Sequence, residues 1–536
     1  MAELAKKKLS KEFFSDHGFK ALLVVVAVAF IVRLYYLITT SSQAMWWDEA
    51  EYMSAAKLWG MGVPYELNEQ RPPLFQLLAA GLVKLGFGET ALKFLLVLIP
   101  SIALVIAVYY LGKELYDYKI GLIAAIGTAF VWSLIFWSVR FQPDFFSVTF
   151  QVIALLFFWK LIKSDNRKYG VYAGIFAAAG FYFKISALLV PVSMVLFVLY
   201  KDGWQAVKQK KYWIVLGAFV VGMIPFMIWQ TVTFGSPLAF GATYSGDFNE
   251  GRSPGWMTLW FYYSFKQPQY SFPKILVFAF FIVGLLATLL KTIFTIDIVV
   301  KDKTLRKDQN IFSFIVLLVI TLFYIFYIQG TIEDRWVFLT IPFIFFFAGK
   351  TILWAYNKVK AYSQILAVLL MVAILFGFSI PQLSHASELI NSKKGSYAPV
   401  KEASLIIKEN SQPEDKILSV SYTQTTAYAE REVITYSKMS IENFTKILVE
   451  QKPAYLIVSI LEPHHPDWMI QQVSGQSGFS GVIMQYLNSS IIISSQNQIV
   501  QFDVKETISR DGATFKLIYP RNNEFGGLFA YKISYE

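Results

Sequence analysis

The sequence predicts a mostly α-helical, polytopic membrane protein with a small α/β domain at its C-terminal end. Only 16% of the 536 residues are charged, whereas a typical soluble protein has about 25%. Hydrophobic residues make up 55% of the chain, and the mean hydropathy is +0.48. Repeated apolar runs are long enough to cross a bilayer core of about 30 Å. The apolar character ends after Pro381, where short β-rich and helix-like stretches begin to alternate.

The composition also excludes several other classes of protein. One soluble globule could not bury so many apolar side chains, because cores stop growing at about 250–300 residues. The chain has no cysteine, which excludes disulfides, iron–sulfur clusters and cysteine-ligated zinc and fits a prokaryotic cell envelope. A net charge of +11 would suggest nucleic-acid binding in a soluble protein. In a membrane protein the positive-inside rule explains that charge, so no nucleic-acid partner is expected.

Eleven apolar runs are predicted to span the membrane. The first, Ala21–Ile38, follows a basic N-terminus and is longer than the about 7–15 apolar residues of a signal peptide, so it is interpreted as an uncleaved span. It contains Arg33, which needs either a partner or a route by which its side chain reaches the membrane surface. The other ten runs are Ala91–Leu111, Ile120–Trp137, Phe145–Ile162, Tyr169–Phe183, Ile185–Tyr200, Tyr212–Phe234, Pro273–Leu290, Ile311–Ile328, Trp336–Trp354 and Tyr362–Ile380.

One further apolar run, Pro72–Phe87, is predicted to lie flat in the membrane surface. It is only about one short helix long, and its polar residues Gln76 and Lys84 share one helix face. With this run lying flat, nearly every Lys/Arg cluster falls on the side of the N-terminus. If the run crossed the membrane, every later basic loop would face outward. The positive-inside rule therefore predicts a cytoplasmic N-terminus and an outer location for the loop Thr39–Thr90 and for everything after Pro381.

The change in composition after Pro381 predicts two domains. Residues 1–381 form the membrane domain, and residues 382–536 form an extracytoplasmic, soluble α/β domain. Strand–helix alternation of the kind seen in the second domain is typical of α/β folds. Its predicted strands are Ile417–Ser421, Ala454–Ile460 and Ser490–Ser494, and its predicted helices are Val400–Glu409 and Ile441–Gln451.

Ionisable residues are concentrated in the predicted outer loops. The first loop begins Met45-Trp46-Trp47-Asp48-Glu49-Ala50-Glu51-Tyr52. If Asp48 caps the helix that follows, the helix N-terminus orients its carboxylate. Asp48 is then either an ordinary cap or a general base at the bilayer surface, which would contribute about 10²–10⁴-fold in rate. Arg71 precedes two prolines and is either an interfacial anchor or a ligand for a lipid phosphate.

Three other outer connections each retain a cation. They are Arg140-Phe141-Gln142-Pro143-Asp144, the turn at Lys184, and Glu333-Asp334-Arg335-Trp336. A single charge at the end of a span is most simply an anchor, but several cations that depart from the positive-inside bias together favour a functional site. No Walker motif, dinucleotide fingerprint or HExxH zinc motif occurs in the sequence, which weighs against an ATP-driven pump or a zinc protease. No cofactor is indicated, and a divalent metal is left open without a motif to support it.

In their order and spacing these motifs resemble the dolichyl-phosphate-mannose–protein mannosyltransferase superfamily. That superfamily includes the lipid A aminoarabinose transferases and many prokaryotic glycosyltransferases of the GT-C fold. The likeness covers about residues 20–350 and is carried by Trp47-Asp48-Glu49, Arg71-Pro72-Pro73-Leu74, Arg140 with Pro143-Asp144, Lys184, and Arg335 ahead of Pro342. It implies a GT-C bundle of about 11 transmembrane helices with interfacial helices in the first outer loop. It also implies transfer of a sugar, with inversion, from a polyprenyl-phosphate donor to a lipid, glycan or protein acceptor on the outer face.

The same resemblance implies roles for individual residues. Asp48 would activate the acceptor as a base with Glu49 beside it, and Asp144 would orient acceptor or sugar. Because phosphate is a good leaving group, cations can replace a general acid. The cations that would hold the donor phosphate are Arg71, Lys184, Arg335 and Arg140. Tyr52, Glu333 and Asp334 would support the site. The connection Gly235–Phe272 is too short for the β-trefoil insert of the eukaryotic enzymes, which disfavours a protein acceptor.

Two other function classes stay open at this point. A secondary transporter, or a flippase for lipid-linked sugars, would concentrate its polar groups near the bilayer midplane on broken helices. Here most ionisable groups gather at one rim instead. A non-catalytic scaffold that has kept the fold is the third candidate.

Overall fold

A computed structural model describes residues 17–241, 259, 271–298, 305–326, 333–459, 465–474, 479–494, 499–520 and 528–536. The described residues form two compact units. We call the first the membrane unit; it contains the residues up to Ser41, Asn68–Phe75 and Glu89–Ser392. We call the second the C-terminal unit; it contains Ser42–Leu67, Gln76–Gly88 and the chain from Lys393 onward.

Helices dominate the chain as far as Ser392. In chain order they are α1 (His17–Thr39), α2 (Trp47–Met61), α3 (Leu74–Lys84), α4 (Glu89–Leu115), α5 (Tyr118–Phe130), α6 (Trp132–Trp137), α7 (Asp144–Ser164), α8 (Arg167–Phe183), α9 (Leu189–Asp202), α10 (Lys210–Phe234), α11 (Ser271–Ile298), α12 (Leu305–Phe326), α13 (Thr340–Lys360) and α14 (Gln364–Ser392). The 3₁₀ turns Ile185–Leu188, Gly203–Lys208 and Asp334–Val337 precede α9, α10 and α13, and α4 contains one π-helical turn, Phe94–Leu98.

Each predicted span falls on one or two of these helices. Within the described ranges, seven helical segments are long and apolar enough to cross a membrane. The multi-pass prediction is therefore confirmed, whereas the number of eleven spans stays a prediction. The helix α3 falls inside the run that was predicted to lie flat, and its length of 11 residues gives about 16 Å, short of the roughly 30 Å of a bilayer core.

Small residues let neighbouring helices of the membrane unit approach closely. A Cβ atom added at Gly112 on α4 would lie 2.7 Å from the Cα of Gly121 on α5. A Cβ atom at Gly284 on α11 would lie 2.1 Å from the carbonyl oxygen of Phe347 on α13. Backbone contact of this kind is a common way for helices to associate in lipid, where no hydrophobic force drives them together.

Arg33 has its partners inside the membrane unit. It is fully buried on α1, and its Nη1 and Nη2 donate to the carbonyl oxygens of Ala129 and Thr128 at 3.0 and 3.4 Å. Those carbonyls belong to the last turn of α5, where helical partners are lacking. The chain breaks at Val131, and α6 then begins with the Trp132 amide donating to Gln382 at 3.1 Å. Arg33 therefore stabilises the break that separates α5 from α6, rather than reaching the membrane surface.

Salt bridges join several helix ends at one end of the membrane unit. Lys163 pairs with Glu114 at 2.8 Å, Lys211 pairs with Asp165 at 2.9 Å, and Lys201 pairs with Asp308. The connections α4–α5, α7–α8 and α9–α10 therefore lie together with the first turns of α12. These are the basic connections that the positive-inside rule groups on one side, and the start of α7 lies at the opposite end of the bundle.

The C-terminal unit is an α/β structure, as predicted. Its later helices are α15 (Ala398–Asn410), α16 (Tyr422–Ala429) and α17 (Ile441–Gln451). Its strands are β1 (Ile417–Ser419), β2 (Val433–Ile434), β3 (Tyr455–Ser459), β4 (Gln471–Ser474), β5 (Phe479–Met484), β6 (Ser489–Ser494), β7 (Ile499–Asp503), β8 (Thr507–Arg510), β9 (Ala513–Tyr519) and β10 (Leu528–Tyr535). One sheet has the order β2-β1-β3-β10-β9-β8, with the first three strands parallel, and β4–β7 form an antiparallel sheet.

The boundary between the units differs from the predicted division at Pro381. The helix α14 continues through Pro381 to Ser392, and the C-terminal unit begins at Lys393. Polar composition begins before the helix ends, so composition alone places the boundary too early. The C-terminal unit also includes Ser42–Leu67, a segment of the first outer loop. Segments distant in sequence join one unit through packing, which a composition change does not report.

Candidate functional site

An acid and a cation pair at the end of the membrane unit opposite the basic connections. Asp144 stands in the first turn of α7, and its side chain is 3% exposed. Lys184 links α8 to the 3₁₀ turn before α9, and its Nζ pairs with the Asp144 carboxylate. The side chain of Lys184 is 24% exposed. The two residues predicted from separate outer connections are therefore brought together by the structure.

Local chain geometry produces this pairing. The helix α8 ends at Phe183 because Lys184 adopts an extended backbone, with φ −156° and ψ 130°. The hydroxyl of Ser147 on α7 donates to the carbonyl of Gly180 on α8 at 2.9 Å. Gln151 Nε2 donates in turn to the Ser147 hydroxyl at 2.9 Å. These bonds tie α7 to α8 beside the Asp144–Lys184 pair and limit its movement.

Trp137 holds the turn that carries Arg335. Its indole Nε1 donates to both carboxylate oxygens of Asp334, at 3.0 and 2.9 Å. The guanidinium of Arg335 lies 4.9 Å from the centre of the Trp137 ring, and its Nε pairs with Glu333. A cation over an indole face is favourable. Sequence reasoning missed Trp137, because a tryptophan at the end of a predicted span is typical of the interfacial aromatic belt.

These side chains open onto a small niche, which we call the Lys184 niche. Its polar lining is Asp144, Gln151, Lys184, Ser186 and Arg335, and its aromatic and apolar lining is Val148, Leu189, Ile320, Tyr324, Trp336 and Leu339. The rings of Tyr324 and Trp336 stack with their centres 6.1 Å apart. Two cations therefore lie beside an aromatic and apolar wall in this niche. In the described part of the chain, no group of three or more His, Asp or Glu residues is arranged to hold a metal.

Burial controls the electrostatics of this site. It lowers the pKa of Lys184, an effect that Asp144 opposes and that the nearby charge of Arg335 reinforces. Burial also raises the pKa of Asp334 to about 7, although the hydrogen bond from Trp137 works in the opposite direction. Glu333, the preceding acid, raises the pKa of Asp334 further. Asp334 therefore changes charge near neutral pH.

Replacing Asp334 by asparagine is expected to make stability less sensitive to pH. The folded-state pKa of about 7 exceeds the unfolded value of about 3.9. Between about pH 4 and pH 7 the Asp334 carboxyl group is ionised in the unfolded state only. The wild type therefore loses stability as the pH rises through this interval. Asparagine can still accept the Trp137 hydrogen bond and stays neutral. The melting temperature of Asp334→Asn relative to wild type should therefore be higher at pH 8 than at pH 5; an equal difference at both pH values would contradict the assignment.

The other two predicted cations lie outside the lining of the Lys184 niche. Arg140 is 1% exposed, and its guanidinium lies 5.4 Å from the centre of the Phe136 ring. Arg71 belongs to the membrane unit and is half-buried in the turn before α3. Gln230 on α10 donates to the carbonyl of Glu69 at 3.0 Å and so anchors that turn.

The predicted catalytic acids of the first loop lie on α2, in the C-terminal unit. The helix begins at Trp47, and its N-cap is Trp46 rather than Asp48. Asp48 therefore does not cap this helix, which was one of the two roles considered for it; the cap lies two positions earlier. The Trp46 amide donates to the carboxylate of Glu49 at 2.8 Å, which is the reciprocal half of a capping box. Glu49 is fully buried and serves the helix start, whereas Asp48 is half-buried in the first turn.

One family model matches part of the chain. The profile of the family described as dolichyl-phosphate-mannose-protein mannosyltransferase matches residues 70–229. That segment contains Arg71, Arg140, Asp144 and Lys184 but neither Asp48 nor Arg335. A comparison with curated protein sequences gives no match.

Solved structures resemble the chain over most of its length. ArnT from Cupriavidus metallidurans bound to undecaprenyl phosphate is 13% identical with a TM-score of 0.56, and the match covers 84% of this chain and 96% of that one. The oligosaccharyltransferase AglB from Archaeoglobus fulgidus, in complex with an inhibitory peptide and a dolichol-phosphate, is 13% identical with a TM-score of 0.54, and the match covers 88% and 75%. At this identity the likeness concerns the fold. The chain is therefore a multi-pass membrane protein with the GT-C fold of membrane glycosyltransferases, the superfamily that its motifs resemble.

Proposed function

We propose that this protein is an integral-membrane glycosyltransferase that moves a sugar from a polyprenyl-phosphate carrier to an acceptor. The Lys184 niche is the observation that carries the proposal. It combines Lys184 and Arg335 with an aromatic and apolar wall, which suits a phosphate attached to an isoprenoid chain. The GT-C fold adds support, since one similar structure holds undecaprenyl phosphate and another a dolichol-phosphate.

The proposed reaction forms one bond and breaks one bond. An acceptor hydroxyl attacks the anomeric carbon of the sugar, and the bond from that carbon to the phosphate oxygen breaks. The acceptor proton passes to a carboxylate base, and polyprenyl phosphate leaves with one more negative charge than it had in the donor. Fixed cations aimed at the developing charge lower the barrier. Attack from the face opposite the phosphate inverts the anomeric centre.

Each site residue has a part in this proposal. Asp48 is the base, and Lys184, Arg335 and Arg71 hold the donor phosphate. Asp144 orients Lys184 through their ion pair, while Glu333 and Asp334 set the position of Arg335. Arg140 is 1% exposed and lies outside the lining of the niche, so we assign it a supporting part in place of the phosphate contact that the sequence predicted. Glu49 and Tyr52 hold α2, since both are buried.

The location of the reaction follows from charge. The basic connections lie together at one end of the membrane unit, and the Lys184 niche lies at the other. By the positive-inside rule the basic end is cytoplasmic. We therefore propose that transfer takes place on the outer face of a prokaryotic cell membrane, where the C-terminal unit also lies, with a lipid, glycan or protein as acceptor.

A transfer assay tests the function directly. Protein reconstituted in vesicles would receive polyprenyl-phosphate mannose, glucose or arabinose labelled in the sugar, together with an envelope extract as the acceptor source. We expect label to leave the polyprenyl fraction and polyprenyl phosphate to accumulate in equal amount. A flippase would instead move the intact donor between leaflets without releasing polyprenyl phosphate. If all three donors move between leaflets intact, the protein is a flippase and the proposed transferase activity is wrong.

A further inference from the structure

We propose that helix α16 and the residue after it hold α2 at three points and thereby set the position of Asp48, so that residues of the C-terminal unit act as positioning residues for the base. This inference rests on the proposed role of Asp48 as the base. We call the contacts that residues Tyr422–Glu430 make with the chain segment Met45–Met61 the α2 clamp. Each contact lies within the C-terminal unit.

The first contact of the α2 clamp fixes the start of α2. The amide of Met45 donates to the hydroxyl of Tyr428 at 2.7 Å. Tyr428 is 6% exposed, and the ammonium of Lys401 lies 5.1 Å from the centre of its ring. Met45 precedes the N-cap Trp46, so Tyr428 fixes the chain three residues before Asp48. A buried amide of this kind is costly to leave without a partner.

The second contact lies along the body of α2. The hydroxyl of Ser54 donates to the carbonyl of Thr423 at 2.9 Å, and both residues are fully buried. The ring of Trp47 meets that of Tyr422 edge to face, with centres 5.1 Å apart. Aromatic pairs in this geometry are favourable beyond the gain from their buried area. Rotation of α2 about its axis would break both interactions.

The third contact lies one turn before the C-terminal end of α2. The ammonium of Lys57 donates to the carbonyl of Ala427 and to the carboxylate of Glu430, each at 2.6 Å. Ala427 lies in the last turn of α16, where carbonyls lack helical partners and the helix dipole is negative. Glu430 also pairs with Lys408 at 2.6 Å. Burial alone would raise the pKa of Glu430, but the two lysines outweigh it and lower the pKa, so the carboxylate is charged at neutral pH.

Contacts at the start, along the body and near the end of one helix leave it little freedom to shift. A misplacement of about 1 Å at a catalytic group can reduce rate by about 10²-fold without changing the chemistry that the group performs. Tyr428, Lys57 and Glu430 are therefore positioning residues. Loss of one contact should lower kcat about tenfold and leave the KM for the donor unchanged, because these residues act on the base and not on the donor phosphate.

Covalent rescue tests this inference. Because the chain has no cysteine, the double variant Lys57→Cys, Glu430→Cys introduces the only two thiols. We expect about a tenfold loss of kcat in the unlinked variant and its recovery after linking by a short bis-maleimide. The control is Lys446→Cys, Glu450→Cys, which removes an exposed ion pair on α17 and should not change kcat with or without the linker. Full turnover in the unlinked variant, or linking without recovery, would overturn the clamp.

Amide hydrogen exchange separates this inference from the proposed function. In Tyr428→Phe and Lys57→Met, exchange should rise at least fivefold across Met45–Met61 and stay unchanged in α17. Unchanged exchange in α2 would overturn the clamp whatever the enzyme does. A rise in exchange, in a protein whose wild type transfers no sugar from any donor, would instead support the clamp and refute the transferase.

Discussion

Lys184→Met is expected to lower transfer by about 10²–10³-fold and to destabilise the fold, whereas Lys184→Met, Asp144→Asn should recover stability without recovering transfer. Removing the lysine alone leaves Asp144, which is 3% exposed, as an unpaired buried carboxylate. Breaking a buried pair in this way costs about 3–5 kcal/mol, with the lower end expected because Lys184 is partly exposed. Neutralising Asp144 removes that cost. Transfer stays about 10²–10³-fold below wild type in both variants, since the phosphate has lost a cation.

Thermal melting and transfer rates on the same preparations measure these effects. Lys163→Met is the matched control: it breaks the pair with Glu114 at the opposite end of the membrane unit, where the side chains are 35% and 28% exposed. Salt bridges between side chains this exposed contribute about 0–1 kcal/mol to the free energy of unfolding. The control variant should therefore have the melting temperature and the transfer rate of wild type. If the double variant regained both stability and transfer, Lys184 would be a structural residue and the niche would have lost its principal phosphate ligand.

Asp48→Asn is expected to lower kcat by about 10²–10⁴-fold, the usual contribution of a general base. Asparagine keeps the size of the side chain and removes the charge that accepts the proton. The helix loses the interaction between that charge and its dipole, which contributes about 0.3–1 kcal/mol. Folding should therefore survive, and the KM for the donor should stay within about twofold because Asp48 does not hold the phosphate.

The neighbouring residue supplies the control for Asp48. Glu49→Gln keeps an oxygen that can accept the Trp46 hydrogen bond, so the helix start stays capped and the loss of kcat should stay below about tenfold. Rates for both variants would be measured under saturating donor with a single acceptor. If Glu49→Gln lowered kcat more than Asp48→Asn did, Glu49 and not Asp48 would be the base. If Asp48→Asn and wild type had equal rates, Asp48 would not be the base.

Individual residues show how far sequence reasoning reached into the site. Lys184 and Arg335 were predicted as cations that depart from the positive-inside bias, and Asp144 as the acid in the connection that carries Arg140. The structure brings these three residues to one niche. Trp137, Gln151 and Tyr324 were missed, because nothing in the sequence distinguishes an aromatic or amide side chain that supports a site from one that packs or anchors a span. The helix start at Trp47 was missed because Glu49, not Asp48, satisfies the Trp46 amide.

The sequence by itself determined that the chain is a multi-pass membrane protein with a C-terminal α/β region. The length of the apolar runs, the distribution of Lys and Arg, and the alternation of strand and helix patterns are local properties. Each can be assigned segment by segment without knowing the folded structure. Only the tertiary structure decided that Arg33 closes the end of α5, that Trp137 holds Asp334, and that α2 belongs with α16 in one unit. Those contacts join residues that are tens to hundreds of positions apart. Their formation depends on how helices cross and where backbones approach, which no local pattern records.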